Sequence, residues 1–435
     1  MSKVAGVRLV APAAVLAITI GAVACAPPPP PPKQPVKTTT TVAHPVTTKP
    51  GTTTTTSSTT TSTTSTTTTL PATTTTVPDT KRLYSTQPVD GWGIQKEGLN
   101  DQYVDAVALS GDAVYAVGHF AHAVHNGQLV NRANVMAISA STGALLPFVA
   151  DTNGPVYAVA TDGTSVYIGG DFTSVNGVSR NRLARLDRTT GAVVTSFTAG
   201  AGGIVSDLLV VGGTLYVGGE FNLLDNTARH HAAAVNTTNG GLVTSFDPNV
   251  NGRVLALEIS PDHTKLYLGG AFTTVGTAAR QNLAEVDPVT GAAQGPTFSR
   301  VNDVIMDLSV RSDGADLYGG GGGGLNSAVD WDTTTGARVW SVRADGDTQA
   351  VQYSNGYLYS GFHDGFGGNT NIRLLALDPD SGAVDATFQP VMTAYPGVYA
   401  LAADGHHLVA AGYFPSVAAD ATSPPVNVKG LAVFP

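Results

Sequence analysis

Val166-Tyr167-Ile168-Gly169-Gly170-Asp171-Phe172 is the stretch on which the reading of this chain turns. A run of β-formers ends in two glycines, an acid and a phenylalanine. The block returns as Leu215-Tyr216-Val217-Gly218-Gly219-Glu220-Phe221 and as Leu266-Tyr267-Leu268-Gly269-Gly270-Ala271-Phe272. Its aromatic position recurs at Tyr115, Tyr167, Tyr216, Tyr267, Tyr318 and Tyr359, with Val409 in the seventh copy. The steps between copies are 52, 49, 51, 51, 41 and 50 residues. A fixed period of that size marks a repeat architecture.

Each copy holds four strand-like pieces. In repeat two they are Val156–Thr161, Ser165–Phe172, Leu183–Asp187 and Ala192–Phe197. Asp162-Gly163 between the first two is a tight hairpin signal. Asp187-Arg188-Thr189-Thr190-Gly191 joins the last two: the Asp side chain caps the turn and Gly takes the left-handed position. That glycine returns as Gly143, Gly240, Gly291, Gly336 and Gly382. No helical periodicity competes. Short strands in four-stranded units of about 50 residues predict an all-β fold, a seven-bladed β-propeller of four-stranded blades. Repeat seven stops at its third piece, Leu431-Ala432-Val433-Phe434, and an orphan strand candidate, Arg82 to Trp92, precedes repeat one. The N-terminal strand is therefore expected to complete the last blade and close the ring.

The Tyr-x-Gly-Gly-x-Phe block followed by Leu-Ala-x-Leu-Asp-x-x-Thr-Gly resembles the bacterial delta-60 repeat propeller family, over nearly all of residues 90–435. Repeat five, Trp331-Asp332-Thr333-Thr334-Thr335-Gly336-Ala337-Arg338-Val339-Trp340, is also similar to the quinoprotein propeller repeat. The resemblance implies a fold. It carries no catalytic residues to transfer, and a fold alone does not give a function.

Comparison among the copies exposes exceptions. One column of the first strand reads Ala106, Ala158, Asp207, Ala256, Asp307, Ala350, Ala400. Ala suits blades that crowd near an axis. An acid there is costly unless paired, hydrogen-bonded or in contact with channel water. Asp207 and Asp307 are thus either a cation or polar-ligand site at the channel or carboxylates satisfied by neighbouring backbone N–H groups or water. His363 and Asp364, in an irregular glycine-rich segment of repeat six, join them as candidate channel or ligand residues. With first strands roughly 8 Å from the axis and 4.8 Å between strands, the two acids sit on the order of 12 Å apart. A glycosidase pair needs about 5–9.5 Å, so no catalytic residues are assigned. A second column, His119, Asp171, Glu220, Ala271, offers metal-capable groups on blades too widely spaced for one zinc. Ion pairs Asp171–Arg180 and Glu220–Arg229 within blades are expected instead. The histidines at 119, 122, 125, 230, 231, 406 and 407 lack metal-ligand spacing and are read as loop residues. No metal and no cofactor are expected.

The chain's first 80 residues are of another kind. Lys3 and Arg8 precede an apolar run from Leu9 to Ala24, the layout of a secretory signal. It ends Ala22-Val23-Ala24-Cys25: the small residues Ala22 and Ala24 suit ordinary signal cleavage without lipidation, and the same four residues resemble a bacterial lipobox with Cys25 as the lipidated residue. Cys25 is the chain's one cysteine, which excludes internal disulfides. Residues 26–80 are Pro and Thr with little else, a stalk on the order of 150 Å when extended. The domain expectation is therefore residues 1–25 signal peptide, 26–80 stalk and 81–435 propeller.

The chain has 435 residues and a net charge of −9. Five of its 23 Lys/Arg and one of its 32 Asp/Glu precede residue 81, which leaves 18 bases against 31 acids beyond it, a net −13. An acidic body is a poor partner for phosphate backbones, so no nucleic acid is expected. The expected function is a cell-surface, lipid-anchored, monomeric recognition module, non-catalytic, for a protein or glycan ligand, with the membrane reached through the lipid only. A channel-centred lyase, hydrolase or quinoprotein-like enzyme and a structural envelope component are the alternatives.

Overall fold

A computed structural model describes residues 80–95, 103–392 and 396–435. Cys25, the apolar leader and nearly all of the stalk lie outside the described residues. The described chain is strand, turn and loop throughout.

Every repeat forms an antiparallel meander. In repeat two, Val156–Thr161 pairs with Ser165–Gly170, which pairs with Leu183–Asp187. The inner strands of the other repeats are Tyr103–Ser110, Val205–Val211, Arg253–Ile259, Ile305–Val310, Thr348–Ser354 and Gly397–Ala403. Each packs against the inner strand of the next repeat, and Gly397–Ala403 packs against Tyr103–Ser110. One face of an inner strand meets the preceding repeat and the other the following one. Val104 and Val107 join a cluster with Val409 and Val433, whereas Ala106 and Ala108 pack on Val156 and Val159. The alanine column is small because this face lies where neighbouring sheets converge. Each inner strand also carries a β-bulge at the residue before that column, at Asp105, Tyr157, Ser206, Leu255, Met306, Gln349 and Tyr399.

The fourth strand expected in each repeat is a true strand in repeats four and five, at Ala293–Gln294 and Arg338–Arg343. In repeat two it shrinks to the bridge Leu186–Val193, with bonds from Val194 N to Arg185 O and from Asp187 N to Ala192 O. Phe197 N turns back onto Val194 O and breaks the ladder. The loose carbonyls are satisfied from elsewhere. Arg180 donates to Val194 O and Thr195 O, Arg132 to Leu146 O, Arg229 to Thr244 O and Arg280 to Gln294 O and Gly295 O. One recurring guanidinium thus replaces the ladder that the outer segment lacks. Between the second and third strands a short hairpin juts out, Ser174–Val175 with Val178–Ser179 in repeat two, turned by Asn176-Gly177 with both φ values positive.

The repeat motif is explained by what joins one sheet to the next. The buried tyrosines stack edge-on against a phenylalanine of the same repeat, as in Tyr167–Phe197 and Tyr216–Phe246. Their hydroxyls donate into the glycine-ended turn of the following repeat, Asp-x-x-Thr-Gly in repeats two and four and Asn236-Thr237-Thr238-Asn239-Gly240 in repeat three. Tyr115 reaches Arg188 O at 2.9 Å, Tyr167 reaches Thr237 O at 3.3 Å and Tyr216 reaches Pro288 O at 2.9 Å. In that turn Asp187 Oδ1 accepts from Thr189 N, Thr190 N and Thr190 Oγ1, which holds its carboxyl below the usual range. Gly191 has a φ of +76°, and a Cβ on it would overlap the backbone of Val149 in the previous repeat. Gly191→Ala therefore meets both a strained backbone and a closed interface. The expected loss is about 1–3 kcal/mol, read as the shift of the urea midpoint.

The N-terminal segment binds three repeats. Lys81 pairs with Asp378, Arg82 N donates to Asn355 O, and the Arg82 guanidinium reaches Gly405 O. Tyr84 is buried against Tyr359 and meets Ser354 Oγ at 2.8 Å. Val89 N donates to Val433 O, the same bond that Val194 makes to Arg185 in repeat two. Trp92 N donates to Gly143 O in the turn of repeat one, as Ser299 N does to Gly336 O.

Candidate functional site

An inner strand has a partner on one edge only, so its other edge presents backbone N–H groups without a ladder. Asp207 and Asp307 answer this. Asp207 accepts from Leu208 N at 2.8 Å and, across the gap between repeats, from Leu257 N at 2.6 Å. Asp307 accepts from Leu308 N at 2.9 Å and from Val351 N at 2.8 Å. Each carboxylate ties its own inner strand to the next. Of the two alternatives for these acids, the geometry supplies the backbone partners of the second.

A third acid belongs with them. Glu258 lies two residues beyond Ala256 on the inner strand of repeat four, between the strands that carry Asp207 and Asp307. Its carboxyl accepts from Ile259 N at 3.0 Å. All three side chains are set deep among protein atoms while keeping some contact with solvent. Burial pushes Asp207 to about 7, Glu258 to about 8 and Asp307 to about 8. Backbone N–H groups oppose the rise in each. The negative charges of Asp207 and Asp307 add to it at Glu258, as Asp207 does at Asp307. The sequence did hold the signal for Glu258: its column reads Ala108, Ala160, Leu209, Glu258, Ser309, Gln352, Ala402.

The ion pairs differ from expectation. Asp171 pairs with Arg182 Nε at 2.8 Å, and Arg180 is taken up by backbone carbonyls. Glu220 meets Arg253 of the next repeat at 3.4 Å, and Arg229 lies 3.5 Å from Asp247. Position 182 has a φ of +63°, and its neighbour Asn181 anchors the turn by donating to Ala201 O. The chain therefore presents Arg182, two residues later than expected, to the acid.

His363 and Asp364 follow the strand Tyr357–Phe362 at the rim. His363 N donates to Asp347 O, and Asp364 lies against Gly346. The loop histidines find local partners: His125 meets Asp90, His230 meets Asn222, His231 meets Val250 O and His407 meets Asp404. Among the described residues no three His, Cys, Asp or Glu side chains are grouped to hold a metal ion.

Asp105 was not singled out by the sequence. It occupies the bulge position of repeat one, where its Oδ2 is buried with no hydrogen-bond partner among the described residues, and desolvation pushes its carboxyl well above the usual range. On the same rim Tyr103 packs edge-on against Tyr399 at 5.3 Å and against His119 at 6.4 Å. Tyr157, the bulge residue of repeat two, lies in the combined negative field of Asp105, Asp171 and Glu220.

A family model described as "Domain of unknown function (DUF5122) beta-propeller" matches residues 165–197, from the second strand of repeat two to its outer phenylalanine. No curated protein matches. Among solved structures, the crystal structure of the WD40 β-propeller domain of Doa1 gives a TM-score of 0.53 at 13% identity, covering 80% of this chain and 96% of that one. The computationally designed Ika8 protein gives 0.49 at 14% identity, covering 81% and 99%. The class that the family model, the likeness to the Doa1 domain and the antiparallel meanders define is the all-β propeller.

Proposed function

We propose that this chain is a seven-bladed propeller, closed by its own N-terminal segment, that serves as a non-catalytic recognition module for a protein or glycan at the cell surface. It is secreted and held by lipid on Cys25 at the end of the Pro/Thr stalk. Closure is supported by the packing of the last inner strand on the first, and by the Val89–Val433 and Trp92–Gly143 bonds that repeat those of the inner repeats. The observation that carries the functional reading is the use made of the axial acids. Asp207 and Asp307 each spend both carboxylate oxygens on backbone N–H groups, which supports a structural role for them over acid–base chemistry. The rim where the inner strands begin gathers Tyr103, Tyr157, His119 and Tyr399 from three repeats, as a recognition surface requires.

The direct test is a screen of the full-length protein against a glycan array and envelope proteins, with product release followed on the same ligands. Saturable binding without turnover is the expected result. Release of product from a bound polysaccharide would overturn the non-catalytic reading. The anchor is tested separately: Cys25→Ser is expected to move the protein from the membrane fraction to the medium, as read by fractionation and by loss of incorporated labelled fatty acid.

A further inference from the structure

The outer strand of repeat five, Arg338-Val339-Trp340-Ser341-Val342-Arg343, is the longest at its position among the described residues, and part of its outer edge is open. Val342 pairs with Ala328 and Arg343 with Ser327, and Ala344 N donates to Asn326 O. Ladder bonds alternate along an antiparallel pair. Val342 therefore turns its N–H and C=O to Ala328, while Ser341 and Arg343 turn theirs away from the sheet. Among the described residues those outward groups have no backbone partner. At the start of the strand the same edge is closed, because Arg338 N donates to Ser299 Oγ at 2.9 Å. The inner face is occupied: Trp340 stacks on Tyr318 at 5.9 Å and donates to Pro379 O. The other face carries Val339, 54% exposed, with Ser341 and Arg343, both exposed.

The free cations of the domain gather at this edge. Among the described residues, the arginines whose guanidinium has no hydrogen bond or ion pair are Arg300, Arg338 and Arg343. Arg300 follows Ser299, the residue that closes the start of the strand. Elsewhere the guanidiniums are taken, Arg182 by Asp171, Arg253 by Glu220, Arg311 by Asp316 and Asp380, and Arg280 by carbonyls. The domain beyond residue 80 is nevertheless acidic, at a net −13. We propose that this edge receives an acidic, extended segment of a protein partner as a fifth strand on the four-stranded sheet of repeat five. The outward N–H and C=O groups of Ser341 and Arg343 supply main-chain bonds, the arginines pair with the partner's carboxylates, and Val339 offers an apolar contact. A second copy of this chain is a poor occupant, since edge-to-edge pairing would bring the guanidiniums of both copies onto one seam. A glycan lacks the alternating backbone donors and acceptors that the edge matches. The inference rests on the recognition reading above and takes its protein branch.

The test is fluorescence anisotropy of a labelled peptide, Glu-Thr-Val-Thr-Val-Glu with blocked ends, titrated with the full-length protein. Its counterpart with both Glu replaced by Gln, and dextran sulfate, a polyanion that cannot form a strand, are the comparison probes. The acidic peptide is expected to bind several-fold more tightly than the Gln peptide, and Arg343→Gln to weaken it about two- to fivefold while leaving the Gln peptide unchanged. Ser341→Pro removes an outward N–H and leaves the sheet's own bonds in place, as an edge strand tolerates. It is expected to abolish binding of both peptides with the circular dichroism spectrum unaltered. Equal affinity for the two peptides, or no acidic-peptide binding at about 1 mM, overturns the assignment. Acidic-peptide binding that survives Ser341→Pro and is displaced by dextran sulfate also overturns it, and leaves a charged patch without strand addition. In each of these cases saturable binding on the glycan array leaves the recognition reading standing, so the two fail separately.

Discussion

A chain that starts at residue 96 is expected to lose most of the unfolding stability of one that starts at residue 80. The segment between them is short, but it brings Tyr84 and Ile94 as buried side chains and Leu83, Val89 and Trp92 as half-buried ones. Burying an apolar side chain contributes about 1.5–3 kcal/mol. Five of them, two fully buried, amount to about 6–10 kcal/mol before allowance for residual burial in the unfolded chain. The whole stability of a domain is about 5–15 kcal/mol. Removal also strips the outer edge of the last sheet, where Ser85 N and Val89 N donate to Pro435 O and Val433 O. The measurement is the urea midpoint of the two chains followed by tryptophan fluorescence and circular dichroism. Coincident midpoints would show that repeat seven stands without its latch, and the proposed closure would go with them.

Much of this was written in the chain as internal repetition. The tyrosines, the left-handed glycines and the turn aspartates recur because each touches the next repeat, so the period itself records the interfaces. Asp207 and Asp307 were visible as departures from alanine, and the structure gives the departure a cause in four backbone N–H groups. What escaped was anything decided by backbone irregularity. The bulge that re-aims Asp105 has no residue signature of its own, since its column holds Asp, Tyr, Ser, Leu, Met, Gln and Tyr. The arginine column misled for a different reason. Charge arithmetic matched Arg180 with Asp171, whereas the fold uses the Arg180 guanidinium for carbonyls the outer strand had left open. Counting donors and acceptors along the broken fourth strand would have placed Arg180 correctly and left Arg182 for the acid.

Stability is expected to fall as pH rises from about 5 to 9. In the unfolded chain the three axial acids ionise near pH 4. In the folded chain burial holds Asp207 near 7 and Glu258 and Asp307 near 8. Between those limits the native state keeps protons that the unfolded state has released, so the slope of unfolding free energy with pH is negative. Their stabilising contribution is complete below about pH 4 and disappears as pH climbs through 7 to 8. Each pKa unit is worth about 1.4 kcal/mol, but partial contact with solvent tempers the desolvation. A combined loss of about 3–6 kcal/mol across the range is expected for the coupled set. The turn aspartates act oppositely. Asp187, Asp287 and Asp332 have carboxyls lowered by their hydrogen bonds to the turn, and they withdraw their support as pH drops below about 4. The profile should therefore peak between about pH 4 and 6. Urea midpoints at pH 5, 7 and 9 measure the descending limb, and Asp307→Asn should flatten it while lowering the pH 5 value, because an amide accepts through one oxygen where the carboxyl bridges Leu308 N and Val351 N. A midpoint that rises from pH 5 to 9, or a descending limb that Asp307→Asn leaves as steep as before, would mean that the strand-to-strand bonds, not desolvation, govern the ionisation of these carboxyls in the folded chain.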